Sequence, residues 1–170
     1  MFQIDDCVYY ASGGVCRVAD ICFAPLQGMP ADRQYYVLRS LHDGNSVMYV
    51  PVQNENVFLR PLMKRDEAEL LLRQIPSIGC IEEPNAKLLR AKYIEAMKQH
   101  DPFWWVCVIK TVRRRIRRLA ATSRTQRISD TERSFAEEAK RYLRTELSLA
   151  MEVPVKEIEA NLMRLIEEES

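Results

Sequence analysis

The chain has 170 residues, of which 47% are hydrophobic and 29% are charged, a composition typical of a folded protein of one or two domains. No apolar run reaches the roughly 18–20 residues that a membrane-spanning helix needs, and the acidic start MFQIDD lacks the basic-then-apolar order of a secretory signal. These features argue against a membrane or secreted protein, and we expect a cytoplasmic one.

The formal net charge of +1 conceals an uneven distribution. Residues 1–61 carry four basic and six acidic side chains, whereas residues 62–170 carry 21 basic and 18 acidic ones. The interval between Asp101 and Asp130 contains no acid at all. Its eight basic residues are Lys110, Arg113, Arg114, Arg115, Arg117, Arg118, Arg124 and Arg127. A local block of positive charge indicates an anionic partner.

The first sixty residues predict a small β domain. Short runs rich in β-branched and aromatic residues alternate with turn sequences such as Asp43-Gly44-Asn45. The predicted strands are residues 7–10, 15–23, 35–41 and 46–51, with a short apolar patch at 57–59. Four or five short strands in this length predict a small β barrel of the Tudor or SH3 kind over residues 1–62.

From residue 63 onward the apolar period becomes helical. Pro76 ends the first predicted helix, Pro84 opens the second, and Pro154 begins the last. The predicted helices are residues 64–75, 84–97, 103–121, 129–150 and one that follows 154. Ser129 and Glu132 form a capping box at the start of the fourth. We predict a five-helix bundle over residues 63–170 and therefore an α+β fold class.

Each predicted helix has an apolar stripe that is expected to face the core. The stripes are Leu88, Ala91, Ile94 and Met97 in the second helix; Trp105, Val108, Val112, Ile116 and Leu119 in the third; Phe135, Ala139, Leu143, Leu147 and Ala150 in the fourth; and Ile158, Leu162, Leu165 and Ile166 in the last.

The sequence offers little for catalysis. The five cysteines are scattered without a C-x-x-C pair, which predicts buried free thiols rather than a zinc site. There is no glycine-rich phosphate loop, and the two histidines are far apart in the chain. We expect no enzymatic activity, no cofactor and no metal. A thiol-dependent enzyme stays the third alternative.

The arginine-rich helix is the strongest local signal. In a helix, Arg113 and Arg117 are i,i+4 neighbours, as are Arg114 and Arg118, and such like charges repel one another. Guanidinium groups suit phosphate contacts, which position a protein without reading sequence. The alternative is a solvated face neutralised by acids of neighbouring helices, for which Glu137, Glu138 and Glu146 are candidates.

Two adjacent tryptophans precede this basic block. Trp105 lies on the apolar stripe and is expected to seal the core, whereas Trp104 could act as a wedge in a minor groove. The predicted DNA-binding residues are Lys110, Arg113, Arg114, Arg117, Arg118, Arg124 and Trp104.

Several motifs resemble the CarD-like family. In the β domain these are Asp6-x-Val8-x-Tyr10 leading into Gly13-Gly14-Val15, the run YYVL at residues 35–38, and VPVQNENVFLRPL at residues 50–62. In the helical part the motif is SDTERSFAEEAKRYLRTELSLAM at residues 129–151. The resemblance extends over the whole chain.

The resemblance implies a bacterial transcription regulator. Its β domain would bind the RNA polymerase β subunit through a strand edge. Its helical domain would contact promoter DNA beside the melted region and stabilise open complexes. Strand addition is an established recognition mode. Carried over by position, the polymerase-binding residues are Arg39, Val47, Tyr49, Pro51 and Arg60. We expect a nucleoid-associated monomer.

The sequence departs from the family pattern at two places. Tyr10 is followed by Ala11, where relatives often have proline. The wedge tryptophan that some relatives carry near the start of their second long helix is replaced here by Ala86, with neighbours Asn85 and Lys87. An alternative function is a protein-only adaptor, in which the helical domain binds another protein rather than DNA.

Overall fold

The computed structural model describes residues 1–23, 26–53, 56–122, 125 and 127–168. The chain divides into two compact units, Met1–Leu62 and Met63–Ser170. The first unit is a β-sheet and the second is helical, so the α+β class is confirmed. None of the described helices combines the length and the hydropathy that crossing a membrane would require.

The first unit is a five-stranded antiparallel sheet. Its strands are β1 (Cys7–Tyr10), β2 (Gly14–Phe23), β3 (Gln34–Ser40), β4 (Val47–Pro51) and β5 (Leu59–Pro61). Their spatial order is β4-β3-β2-β1-β5, so β4 and β5 are the two edges. The sheet is open, since no pairing of β4 with β5 occurs among the described residues. Closure into a barrel stays a prediction.

The turns follow from local chemistry. Gly14 and Gly44 have φ values of 69° and 67°, a region that favours glycine. Asp43 fixes the turn before β4, because its carboxylate accepts hydrogen bonds from the N–H and the hydroxyl of Ser46. These bonds hold the pKa of Asp43 below its ordinary value.

The core of the sheet lies on one face. Its buried members come from four strands and are Val8, Cys16, Val18, Tyr36, Leu38 and Val50. In β4 this places Val50 inward, while Val47, Tyr49 and Pro51 lie on the opposite face.

The second unit contains five α-helices. They are α1 (Arg65–Gln74), α2 (Ala86–Lys98), α3 (Pro102–Thr122), α4 (Asp130–Met151) and α5 (Val155–Glu167), with a 3-10 turn at Ile75–Ser77 that contains Pro76. α4 contacts all four of the other helices. The capping box of Ser129 and Glu132 is confirmed. The stripe of α5 is buried as predicted, and so are Ala139, Leu143 and Leu147 in α4, whereas Phe135 and Ala150 are half-buried.

The stripe predicted for α2 is wrong. Leu88 and Ile94 are 54% and 38% exposed, and the buried residues are Leu89, Tyr93 and Ala96. The helix is rotated relative to the prediction because the large Tyr93 ring packs inward, with its centroid 5.8 Å from that of Phe135. The helix also begins two residues later than predicted, at Ala86 instead of Pro84, since Asn85 is the N-cap and accepts from Lys87 N–H and Leu88 N–H.

α3 consists of two different halves. Every residue from Trp105 to Val112 is buried, so this segment of the helix is surrounded on all sides. Burial falls after Val112, and Ile116 is 44% exposed, which contradicts the predicted continuation of the apolar stripe. The rest of the second unit therefore encloses only the segment Trp105–Val112, and all five arginines of α3 come after it.

Candidate functional site

The free edge of β4 carries three of the predicted polymerase-binding residues. Ser40 N–H donates to Ser46 O at 3.1 Å and Val52 N–H donates to Gln34 O at 2.9 Å, so the even-numbered residues of this segment face β3. In an antiparallel pair of strands, successive residues alternately point their main-chain N–H and C=O groups toward the neighbouring strand and away from it. The main-chain groups of Val47, Tyr49 and Pro51 therefore point away from the sheet.

The side chains of these residues lie on the face opposite the core. Val47 is directly opposite Arg39 in β3, and Arg39 is directly opposite Arg17 in β2. The two exposed arginines are thus cross-strand neighbours, an arrangement that is unfavourable without an anion nearby. Asp5 lies 4.0 Å from Arg17. Arg17, Arg39 and Val47 therefore form a row across β2, β3 and β4 that ends at the free edge of β4.

Arg60 does not join this group. It lies in β5, at the other edge of the sheet, and its guanidinium carbon is 4.7 Å from the ring centroid of Tyr9. Its Nη1 also donates to Pro61 O at 3.0 Å. The hydrogen-bonded order of the strands separates Arg60 from the other four predicted residues.

Three arginines of α3 are neutralised by acids of other segments. Arg113 pairs with Glu167, Arg114 Nη2 lies 2.6 Å from Glu82 Oε1, and Arg115 Nε lies 2.8 Å from Glu132 Oε1. The alternative of a neutralised face therefore applies to this part of the helix.

The acids first considered for that role have other partners. Glu137 pairs with Lys140 at 3.1 Å, and Glu138 accepts from the Tyr142 hydroxyl at 2.7 Å. Glu146 is fully buried and accepts from Met63 N–H at 2.8 Å.

Lys110 has a structural position rather than an accessible one. It is 5% exposed, and its Nζ donates to Ile75 O and Pro76 O, both at 3.0 Å. These carbonyls lie at the C-terminal end of α1 and in the 3-10 turn, where a cation is favourable. Its burial does not favour a contact with DNA, and the predicted DNA-binding role of Lys110 stays a prediction.

The accessible basic groups lie at the C-terminal end of α3. Arg117 and Arg118 are exposed, and neither takes part in the ion pairs found among the described residues. Arg127, just before α4, is also exposed. Arg124 lies outside the described residues. The predicted cluster is thus divided into a paired half and an accessible end.

The two tryptophans differ as expected. Trp105 is fully buried and its ring centroid is 5.5 Å from that of Tyr142. Trp104 is 39% exposed, stacks edge-on against the exposed Phe103, and lines an open groove between α2 and α3. Trp104 is available for a contact, whereas Trp105 is not.

The start of α2 has no large apolar side chain at residues 85–87, where the resemblance predicts a wedge. Ala86 and Lys87 are exposed, and Asn85 is occupied by the N-cap. Leu88, two residues after Ala86, is exposed.

The thiols do not form a reactive constellation in the described chain. Burial raises the pKa of Cys16 to about 12 and that of Cys107 to about 11, and it also raises the pKa of Cys7. No group of three potential metal ligands occurs among the described residues.

Arg17 is a candidate that sequence reasoning missed. Its pairing with Arg39 depends on the register of β2 and β3, which includes an irregularity between Val18 and Asp20. No spacing in the sequence gives that register.

Comparison with known families connects the first unit to transcription. Residues 2–63 match the family model described as the CarD-like/TRCF RID domain. The match covers the sheet unit and ends at its boundary, so the helical unit lies outside it. No curated protein matches the chain.

Proposed function

Because its N-terminal unit belongs to the CarD-like family of RNA polymerase-interaction domains, we propose that this protein is a transcription regulator of bacterial type. Residues 1–62 bind the β subunit of RNA polymerase. Residues 63–170 contact promoter DNA near the upstream edge of the transcription bubble and stabilise open complexes. The protein acts in the cytoplasm, associated with the nucleoid, as a monomer without catalytic activity or cofactor.

The free edge of β4 supports the proposed binding to RNA polymerase. Val47 and Tyr49 direct their N–H and C=O groups outward, which suits the addition of a partner strand. Pro51 has no N–H and would end that pairing. The open order of the sheet matters here, because a barrel closed between β4 and β5 would occupy the same groups.

The polymerase half is tested with two substitutions at one residue. Tyr49→Pro removes the outward N–H but leaves the β3 ladder intact, since proline is tolerated on an edge strand where the N–H faces solvent. Tyr49→Ala removes the ring and keeps the N–H. We expect Tyr49→Pro to weaken binding of the full chain to a β-subunit fragment at least tenfold, and Tyr49→Ala to weaken it less. Equal affinities for both variants and the wild type would reject the β4 edge.

The exposed basic residues at the C-terminal end of α3 support the proposed contact with DNA. Arg117 and Arg118 are exposed without an acidic partner in the described chain, and the neighbouring Arg124 and Arg127 add to the same basic block. Phosphate contacts by such residues release counterions and make binding depend steeply on salt. Trp104 is the exposed aromatic residue of this helix.

The DNA half is tested with the full chain in a binding titration at several salt concentrations. For Arg117→Glu with Arg118→Glu, we expect weaker affinity and a log–log salt slope smaller by roughly two, since each phosphate contact contributes about 0.9. The same variant should shorten the lifetime of open complexes while binding the β subunit normally. Arg73→Glu with Arg65→Glu, on α1, is the matched charge control.

The adaptor alternative has one observation in its favour. Arg113, Arg114 and Arg115 are already paired with acids, so the helix is less basic than its sequence suggests. If the full chain causes no mobility shift of duplex DNA even at low salt, the helical unit binds protein and the adaptor function replaces the DNA contact.

A further inference from the structure

A small cavity in the helical unit lies between the segment after α1 and the middle of α3. Its volume is about 250 Å³. It is lined by Pro76, Ser77, Ile78, Gly79, Cys80, Lys110 and Arg114. The charged lining residues are both basic, and no acid of the described chain lines it. We call it the Lys110–Arg114 pocket.

The two cations are held on the same side of α3. Residues four apart rise by about 6 Å along a helix and share a face. Lys110 Nζ is fixed by Ile75 O and Pro76 O, and an ammonium group has three donors, so one N–H is left after these two bonds. The positive charge therefore sits at a defined position in the pocket wall.

Gly79 lines the pocket without a side chain of its own. A Cβ atom added at this residue would meet nothing within 4 Å. Its N–H donates no hydrogen bond to any described residue. The lining thus contains two cationic side chains and a residue whose main-chain N–H has no partner among the described residues. Cations and main-chain donors are the groups that proteins use to hold oxyanions.

Arg114 already forms an ion pair with a carboxylate of the same chain, that of Glu82. Glu82 Oε1 lies 2.6 Å from its Nη2, although Glu82 is not part of the lining. The Glu82 side chain is 74% exposed, and ion pairs of such exposed groups contribute little stability. A bound anion could replace this carboxylate at small cost.

We propose that the Lys110–Arg114 pocket binds one phosphate-type oxyanion, either free in solution or as part of a nucleic acid backbone. The site is separate from the exposed Arg117 and Arg118 and does not depend on the proposed promoter contact. Its size is below the usual 300–1,000 Å³ range of pockets for larger organic ligands, which favours a small anion.

The test is calorimetric titration of the full chain with pyrophosphate, at an ionic strength held constant with sodium chloride. We expect saturable binding. Arg114→Gln should weaken it roughly tenfold, because a charge-assisted contact is lost. Glu82→Gln should strengthen it severalfold by removing the internal competitor. Gly79→Leu adds a bulky side chain at a lining residue and keeps both cations, and it should weaken the binding.

Arg73→Gln is the matched control, since it removes one exposed arginine of α1 that is not in the pocket. Absence of saturable binding, or an equal loss in Arg73→Gln and Arg114→Gln, would overturn the proposal. Competition by duplex DNA distinguishes the two sources: displacement identifies a backbone phosphate, and simultaneous binding identifies a free oxyanion. A protein that binds pyrophosphate but not DNA would contradict only the promoter contact.

Discussion

At the scale of single residues, burial changes the role that a charge suggests. Lys110 belongs by sequence to the basic block, but its ammonium group is enclosed and bonded to two main-chain carbonyls. A buried cation of this kind orders the turn after α1. Arg117 and Arg118, two turns further along α3, are exposed, whereas Lys110 is buried.

Lys110→Met should destabilise the helical unit. The substitution removes the ammonium donor of the buried Ile75 O, and a buried acceptor that loses its donor costs roughly 1–3 kcal/mol. Urea denaturation of the full chain measures the effect, with the exposed Lys98→Met as control. An unchanged midpoint would show that water or another group replaces the ammonium donor.

The residue scale also shows the limit of sequence reasoning about the site. Trp105 could be assigned to the core because it shares a helical stripe with Val108 and Val112, and all three are buried. Nothing in the sequence separates Lys110 from the arginines that follow it. That separation depends on the carbonyls of a distant segment.

At the scale of elements, local signals predicted most boundaries. The turn residues, prolines and capping box lie within a few residues of the observed ends of the helices and strands. The α2 stripe and the end of the α3 stripe were wrong, because which face is covered depends on neighbouring helices rather than on the helix itself. A short helix with apolar residues on several faces can bury more than one of them.

Ser129→Ala should lower the free energy of unfolding of the helical unit by about 1 kcal/mol. The Ser129 side chain accepts from Glu132 N–H and the Glu132 carboxylate accepts from Ser129 N–H, so the substitution breaks a reciprocal cap of α4. Ser134→Ala, at an exposed position inside the same helix, is the control for chemical denaturation. A loss of equal size in both variants would indicate helix propensity and not capping.

At the scale of the whole molecule, groups that are buried in the protonated form couple stability to alkaline pH. Burial raises the pKa of Cys107 to about 11 and the pKa values of Cys16 and Tyr142 to about 12, and it also raises the pKa of Tyr93. The ordinary values are 9.0 for cysteine and 10.0 for tyrosine. Three of these four groups belong to the helical unit.

Stability should therefore be lost as pH rises above about 9. Below the ordinary pKa values both states are protonated, and the contribution of these groups is fully present. Between the ordinary and the raised values the unfolded chain loses protons that the folded chain keeps, so unfolding becomes more favourable. Melting followed by circular dichroism should show a Tm several degrees lower at pH 11 than at pH 8. A constant Tm over this interval would contradict the protonated burial of these groups.

The sequence by itself determined the α+β class, the order of strands and helices, the basic block and the absence of an obvious catalytic motif, because these depend on local periodicity, turn chemistry and charge counts. Only the tertiary structure decided which cations are accessible. It paired Arg113, Arg114 and Arg115 with acids distant in sequence and enclosed Lys110. It also placed Arg60 and β4 at opposite edges of an open sheet. The physical reason is that accessibility and charge neutralisation are properties of groups brought together by folding, and they leave no periodic signal along the chain.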